Sequence, residues 1–230
     1  MKLFLVSGWA TKCTVWEAVE KILADKLDVE LVDWRKAIDG DLDRRIVENP
    51  ERCIVAGWSL GGQIALLTAA RNSDNIAGLF LVSSMACLVK QGSRPGVSRE
   101  TPEKIKVMLE RNRRVYLRAF FKQCLDPVAD PRIIGNLLEE SDSITMDILL
   151  SGLKYMSDTE AGFGFEVPLM AVHGRDDRVI PWECSEYISR KTAANSRVVY
   201  IEKAGHLLPL IKHETVGNLL NEFSEYCIAR

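Results

Sequence analysis

The chain has no apolar run of the roughly 18 residues that a membrane-spanning helix needs, so no bilayer span is expected. No signal peptide is expected either. Residues 1–10 carry one lysine and a five-residue apolar-leaning run, Leu3 to Ser7, with no small-residue cleavage site behind it. A cytoplasmic chain is the default expectation. Paired cysteines are missing as well: Cys13, Cys53, Cys87, Cys124, Cys184 and Cys227 are scattered, with no C-x-x-C spacing. Zinc patterns are thereby excluded, and reduced, mostly buried thiols are expected. No charge sign dominates. The 30 basic and 32 acidic residues leave a net charge of −2, far from the basic footprint of a nucleic-acid binder. Histidine is scarce, which narrows the search for a general base to His173, His206 and His213.

What remains is a globular composition, 47% hydrophobic and 27% charged over 230 residues. That argues against a disordered chain, a collagen or a disulfide miniprotein, and for one domain or one domain with an insertion. Lys2 to Val6 reads as a buried strand feeding the loop Ser7-Gly8-Trp9. The capping-box pattern Thr14-Val15-Trp16-Glu17 predicts a helix over about 15–27. Strands are expected at Val29 to Val32, Arg52 to Ala56 and Ile76 to Ser83, with a short helix at Asp43 to Val47 and a longer one at Gln63 to Ala70. This alternation indicates a parallel sheet covered on both faces. It stops near Met85. Residues 90–160 read as charged helices, after which strand patterning returns at Pro168 to His173 and Arg197 to Ile201, and a helix closes the chain from Glu214 to Ile228.

Gly57-Trp58-Ser59-Leu60-Gly61 fits G-x-S-x-G between an apolar strand and a small-residue helix, the context in which a serine projects from a sharp turn at the top of a sheet. A serine hydroxyl needs a base to take its proton. His206 follows the last predicted strand on a loop and suits that role, whereas His173 ends a strand and reads as structural, and His213 reads as surface. The imidazole needs a carboxylate to orient it. Asp177, in the loop after the penultimate strand, is favoured, and Asp176 is the alternative. The order Ser59, Asp177, His206 is that of α/β-hydrolases. Two backbone amides, Trp9 N–H and Leu60 N–H, are the expected oxyanion donors.

With Ser7-Gly8-Trp9, Gly57 to Gly62, Gly174 to Pro181 and Gly205-His206 in this order, the chain resembles the α/β-hydrolase superfamily over nearly its full length. Within it, the chain is most similar to the pimeloyl-[acyl-carrier protein] methyl ester esterases of biotin synthesis. Ser7-Gly8-Trp9-Ala10 with Val15-Trp16, the Trp58 to Gly62 elbow, and Met146 to Leu149 through Gly152-Leu153 carry that likeness. The resemblance implies an α/β-hydrolase fold. The chain starts at the strand of Ser7-Gly8-Trp9, without the hairpin most members place before it, so about six mostly parallel strands are expected instead of eight. Residues 1–89 and 161–230 would form the core and 90–160 a helical lid.

The resemblance also implies a reaction. Ser59 attacks the methyl ester of pimeloyl-[acyl-carrier protein], methanol leaves and water deacylates the enzyme, with no metal or cofactor. Trp9, Trp58, Phe120 and Phe121 are expected to contact the acyl chain. Between Lys90 and Lys122 ten basic residues face three acidic ones, a net of +7, while Gln123 to Glu160 carries eight acids and two bases, a net of −6. Carrier proteins are acidic, and Arg114 and Arg118 stand at i, i+4 on one helix face; the family's carrier-binding arginines lie in this region, so the resemblance implies docking through these two, with Arg111. A monomer is expected. The alternatives are a general short-chain carboxylesterase or thioesterase, a lyase of menaquinone synthesis using the same triad for proton abstraction, and a non-catalytic binding module.

Overall fold

The computed structural model describes residues 1–192 and 195–230. Six strands, β1 (Lys2–Val6), β2 (Asp28–Val32), β3 (Cys53–Trp58), β4 (Ile76–Val82), β5 (Leu169–Gly174) and β6 (Ser196–Ile201), form one sheet in the order β2-β1-β3-β4-β5-β6. Every pairing is parallel. The three central strands β3, β4 and β5 are buried at every residue. Strands covered on both faces have no polar side to show, hence their continuous apolar runs. The chain runs from β1 outward to β2, then crosses back to β3 on the other side of β1. That reversal opens a crevice at the carboxyl ends of β1 and β3, where open α/β sheets bind their ligands.

Helices cover both faces. They are α1 (Glu17–Leu23), α2 (Trp34–Ile38), α3 (Asp41–Glu48), α4 (Leu60–Asn72), α5 (Thr101–Leu125), α6 (Pro131–Ser141), α7 (Met146–Asp158), α8 (Glu183–Lys191), α9 (Leu208–Ile211) and α10 (His213–Ile228). A Cβ on Gly78 of β4 would run into Cys227 and Phe223 of α10, and one on Gly57 of β3 into the backbone of α4. Ile54 pairs with Gly78 and Gly57 with Leu81. With a side-chain period of two, these glycines face opposite sides, so α10 and α4 lie on opposite faces. Helix α1 packs on α10, α2 and α3 pack on α4, and α8 packs on β5 and β6.

The expected helix over 15–27 is shorter, and its capping box is not made. Cys13–Trp16 forms a 3₁₀ turn capped at Lys12, and the Thr14 hydroxyl bonds Glu140 of α6 instead. Burial of Trp16, whose Nε1–H donates to the Val6 carbonyl at 2.9 Å, sets this turn against β1. Helices α2 and α8 lie outside the predicted elements. Asp33 caps α2 by accepting the Arg35 N–H at 2.9 Å. All six cysteines are free thiols, five of them buried and Cys13 half-buried. No helix among the described residues is long and apolar enough to cross a membrane.

Helices α5, α6 and α7 all fall between β4 and β5. α5 is two helices joined across a kink at Asn112, whose backbone is extended at φ −162° and ψ 92°. The Asn112 Oδ1 accepts the Val115 N–H at 3.1 Å, so this residue caps the second half. Replacing it by alanine removes the cap, and Asn112→Ala is expected to lower stability by about 1 kcal/mol. The check is the urea midpoint, which should fall at unchanged slope; an unchanged midpoint would show that the cap contributes nothing.

Candidate active site

The turn from β3 into α4 is made from residues that keep side chains out of its way. A Cβ on Gly57 would collide with the Gly61 carbonyl, and one on Gly61 would collide with the Val6 carbonyl oxygen and lie 2.6 Å from that of Ser7. The first turn of α4 therefore sits against the end of β1. Between these glycines Ser59 takes φ 56°, ψ −119°, a conformation that costs a non-glycine residue about 1–3 kcal/mol. Its backbone is tied down on both sides. Ser59 N–H donates to the Val82 carbonyl at 2.9 Å, and its own carbonyl accepts from the Ser84 hydroxyl at 2.9 Å and the Gly62 N–H at 3.0 Å.

The loop after β6 brings His206 to this serine: its Nε2 lies 3.0 Å from Ser59 Oγ. Its Nδ1 lies 2.8 Å from Asp177 Oδ2. Asp177 Oδ1 accepts the N–H groups of Val179 and Ile180 at 2.8 and 2.9 Å. These bonds assign the protons, with Nδ1–H donating to the carboxylate and Ser59 O–H donating to Nε2. Both His206 and Asp177 side chains are fully buried. Burial alone would push the Asp177 carboxyl up, but the imidazole of His206, the contact with His173 and these hydrogen bonds outweigh it and hold the group well below the ordinary carboxylate range. Asp176 makes no such contact, and His213 bonds the Leu210 carbonyl.

His206 is held from the side of α5 as well as from the sheet. His206 N–H and Leu207 N–H both donate to the Cys124 carbonyl at the end of α5, at 3.1 and 3.0 Å. A Cβ on Gly205 would collide with the Asp126 carbonyl oxygen. Trp58 Nε1–H donates to the His206 carbonyl at 2.8 Å. Sequence reasoning missed the Cys124 carbonyl, because a main-chain acceptor leaves no mark on the sequence.

Leu60 follows Ser59 in the chain and Trp9 lines the same cavity as Ser59, and among the described residues neither the Trp9 N–H nor the Leu60 N–H donates to a protein acceptor. The Trp9 loop is braced by Thr11, whose hydroxyl and N–H both reach the Gly8 carbonyl. Trp9 Nε1–H donates to the Leu149 carbonyl of α7 at 2.9 Å. A Cβ on Gly152 would run into the rings of Trp34 and Trp9. The stretch from Met146 to Leu153 is thus the seat of the Trp9 indole.

Ser59 opens into a cavity of about 390 Å³ with apolar walls that include Trp9, Leu88, Ile105, Phe120, Leu153 and Met156. Phe120 stands edge-on to Trp9 at 5.2 Å. Two expected contacts are corrected here. Phe121 and Trp58 are buried in the core and do not line the cavity, because Phe121 points from α5 into the packing below and Trp58 lies against Gly8 and His206. On the outer surface Arg111, Arg114 and Arg118 are exposed. Arg114 pairs with Asp142 of α6 at 2.6 Å, while among the described residues Arg111 and Arg118 have no acidic partner.

The sequence model of the alpha/beta hydrolase family matches residues 14–217. The pimeloyl-[acyl-carrier protein] methyl ester esterase of Yersinia pseudotuberculosis is 25% identical over 97% of this chain and 93% of its own length. The protein of the same name from Aeromonas hydrophila is 26% identical over 92% and 90%. Among solved structures, a hydrolase from Oleispira antarctica superposes with a TM-score of 0.87 at 15% identity, covering 96% of this chain and 90% of that one. An esterase from Exiguobacterium antarcticum gives 0.86 at 16% identity, covering 98% and 92%.

The depressed Asp177 carboxyl stabilises the fold above the unfolded carboxylate range, and that stabilisation is lost as the pH falls through to the depressed value. Asp177→Asn is expected to cut ester turnover by about three to four orders of magnitude and to lower the melting temperature at neutral pH. The melting difference from the parent should shrink as the pH drops below the ordinary carboxylate range. A difference constant with pH would show that the charge is not its source.

Proposed function

We propose that this chain, which belongs to the alpha/beta hydrolase family and is a serine hydrolase of carboxylic esters, hydrolyses the methyl ester of pimeloyl-[acyl-carrier protein] through an acyl-enzyme on Ser59. The observation that carries this reading is the unbroken line Ser59–His206–Asp177, at 3.0 and 2.8 Å, opening onto an apolar cavity. Two relatives named for this substrate, which align over nine-tenths of their own lengths, support it. Residues 90–160 serve as the lid over a core of 1–89 and 161–230.

His206 Nε2 takes the proton of Ser59 Oγ as the oxygen attacks the ester carbonyl. The imidazolium that forms is stabilised by Asp177, already ionised and hydrogen-bonded to Nδ1. Negative charge develops on the carbonyl oxygen and is met by Trp9 N–H and Leu60 N–H, donors fixed before the reaction starts. His206 returns the proton to the methoxide oxygen, and methanol leaves. Water then attacks the acyl-enzyme with His206 again as base, releasing the free carboxylate and restoring Ser59. The apolar walls around Trp9 and Phe120 take the methylene chain, whose burial contributes roughly 0.8 kcal/mol per CH₂.

The exposed arginines of α5 meet the acidic carrier protein. Steering by complementary charge acts mainly on encounter and orientation, so its loss should appear in KM for the carrier-linked ester. Arg111→Glu with Arg118→Glu is expected to raise that KM at least about tenfold, with little change on a free methyl ester. Ser59→Ala should abolish turnover of both. Complementation of a biotin auxotroph lacking its esterase, with Ser59→Ala as control, tests the substrate. Growth with the parent and none with the variant is the expected result. Failure of the parent to complement, with ester hydrolysis intact, would leave a general carboxylesterase. Unchanged KM in the charge-reversed variant would remove the docking residues alone.

A further inference from the structure

Asp177 is touched by a second histidine that the reaction above does not use. His173, at the end of β5, is fully buried, and its Nε2 lies 3.1 Å from Asp177 Oδ2, the same oxygen that receives His206 Nδ1–H. The same nitrogen lies 3.1 Å from the Ile180 carbonyl oxygen. Both neighbours are acceptors only, so Nε2 carries a hydrogen. The other ring nitrogen, Nδ1, lies 2.7 Å from the hydroxyl of Ser185 on α8, which is also buried. In the neutral ring Nδ1 is an acceptor, and Ser185 O–H is its donor.

Resting on the proposed triad, we propose that His173 and Ser185 form a positioning pair that fixes the Asp177 carboxylate and draws charge from the oxygen bonded to His206. The geometry favours this over simple packing in two ways. The Ile180 residue is held from both sides, its carbonyl by His173 and its N–H by Asp177 Oδ1, so the ring and the carboxylate share one short loop. The hydrogen on Nε2 also faces two oxygens, donating to the Ile180 carbonyl with Asp177 Oδ2 beside it, so this nitrogen presents a donor edge to the carboxylate. Two thiols also sense this carboxylate: Cys124 on α5 is pushed well up by its burial, and Cys184 on α8 is pushed up to about 12 by burial. Both stay neutral at working pH.

Without the second donor, Asp177 Oδ2 carries more charge and holds a protonated His206 more firmly. The acidic limb of the pH–rate profile then moves to higher pH. The experiment uses the full chain with a p-nitrophenyl ester, and reads kcat, KM and kcat/KM against pH for His173→Leu, His173→Gln and Ser185→Ala, with melting temperatures alongside. His173→Leu is expected to lower kcat about tenfold at unchanged KM and to raise the acidic limb by about half to one pH unit, the worth of one hydrogen bond. Ser185→Ala, which leaves the ring nitrogen unpaired but the donor in place, should shift the limb the same way by less. His173→Gln keeps an N–H donor at the same reach and should bring the limb back to the parent position. If the limb stays at its parent position in both His173→Leu and Ser185→Ala, the pair is only packing and the inference is overturned; where His173→Leu does not fold, Ser185→Ala decides. Ser59→Ala separates the two readings: if it keeps turnover the triad itself is wrong, and if it is inactive while the limbs stay fixed only the positioning role falls.

Discussion

A side chain at position 61 would overlap the Val6 carbonyl oxygen, and the functional end of the sheet is arranged around that close approach. Because α4 starts against the end of β1, the loop that carries Trp9 and the turn that carries Ser59 and Leu60 lie side by side. Because the same turn forces Ser59 into a costly backbone conformation, its hydroxyl leaves the sheet toward the crevice where the strand order reverses. The hydrogen bonds from the Gly62 N–H and the Ser84 hydroxyl to the Ser59 carbonyl hold that conformation. The strain is local, and the burial of β3 and β4 on both sides offsets it many times over.

The second constraint is a charge. A buried carboxylate is tolerated only when its lone pairs are met, and Asp177 meets two main-chain N–H groups and two imidazoles. Those partners come from β5, the loop behind it and the loop after β6, so the carboxylate joins the edge of the sheet to the base. The insertion between β4 and β5 joins in at the Cys124 carbonyl, which takes two N–H groups from the base loop, and at Gln123, whose side chain bonds the Arg178 carbonyl. The end of α5 is therefore part of the site's scaffold, and the break at Asn112 separates it from the first half of the helix, which lines the cavity through Ile105 and Met108.

The parts of this arrangement that were legible in the sequence are those where chemistry constrains residue type. Only glycine fits at 57 and 61, central strands must be apolar throughout, and a Ser–His–Asp line needs its three residues at the ends of strands. All six strands and the convergence of Ser59, Asp177 and His206 follow from such constraints. What was not legible depends on tertiary choice. Thr14 had a capping partner three residues on, but burying Trp16 won and the hydroxyl turned to Glu140. Phe120 and Phe121 are neighbours on α5, and which of the two faces the cavity depends on a helix phase reset by the break at Asn112, which a periodicity count cannot place. His173 read as a structural histidine, and its contact with Asp177 depends on a loop that folds back over one turn.

The charge asymmetry of the insertion also changes meaning once the helices are packed. In sequence it is a basic segment followed by an acidic one. In space α5 lies against α6, and Arg114 meets Asp142 across that contact. Part of the polarity is therefore answered inside the chain. An exposed pair of this kind contributes only about 0–1 kcal/mol, too little to hold Arg114 against a more complementary partner. Among the described residues Arg111 and Arg118 have no such answer, and between them Val115 stands 64% exposed. On the proposed reading, this mixed basic and apolar ridge is the face an acidic carrier would meet. It lies mostly on the second half of α5, the same half whose last carbonyl holds His206. Recognition of the carrier and alignment of the base thus draw on one capped helix.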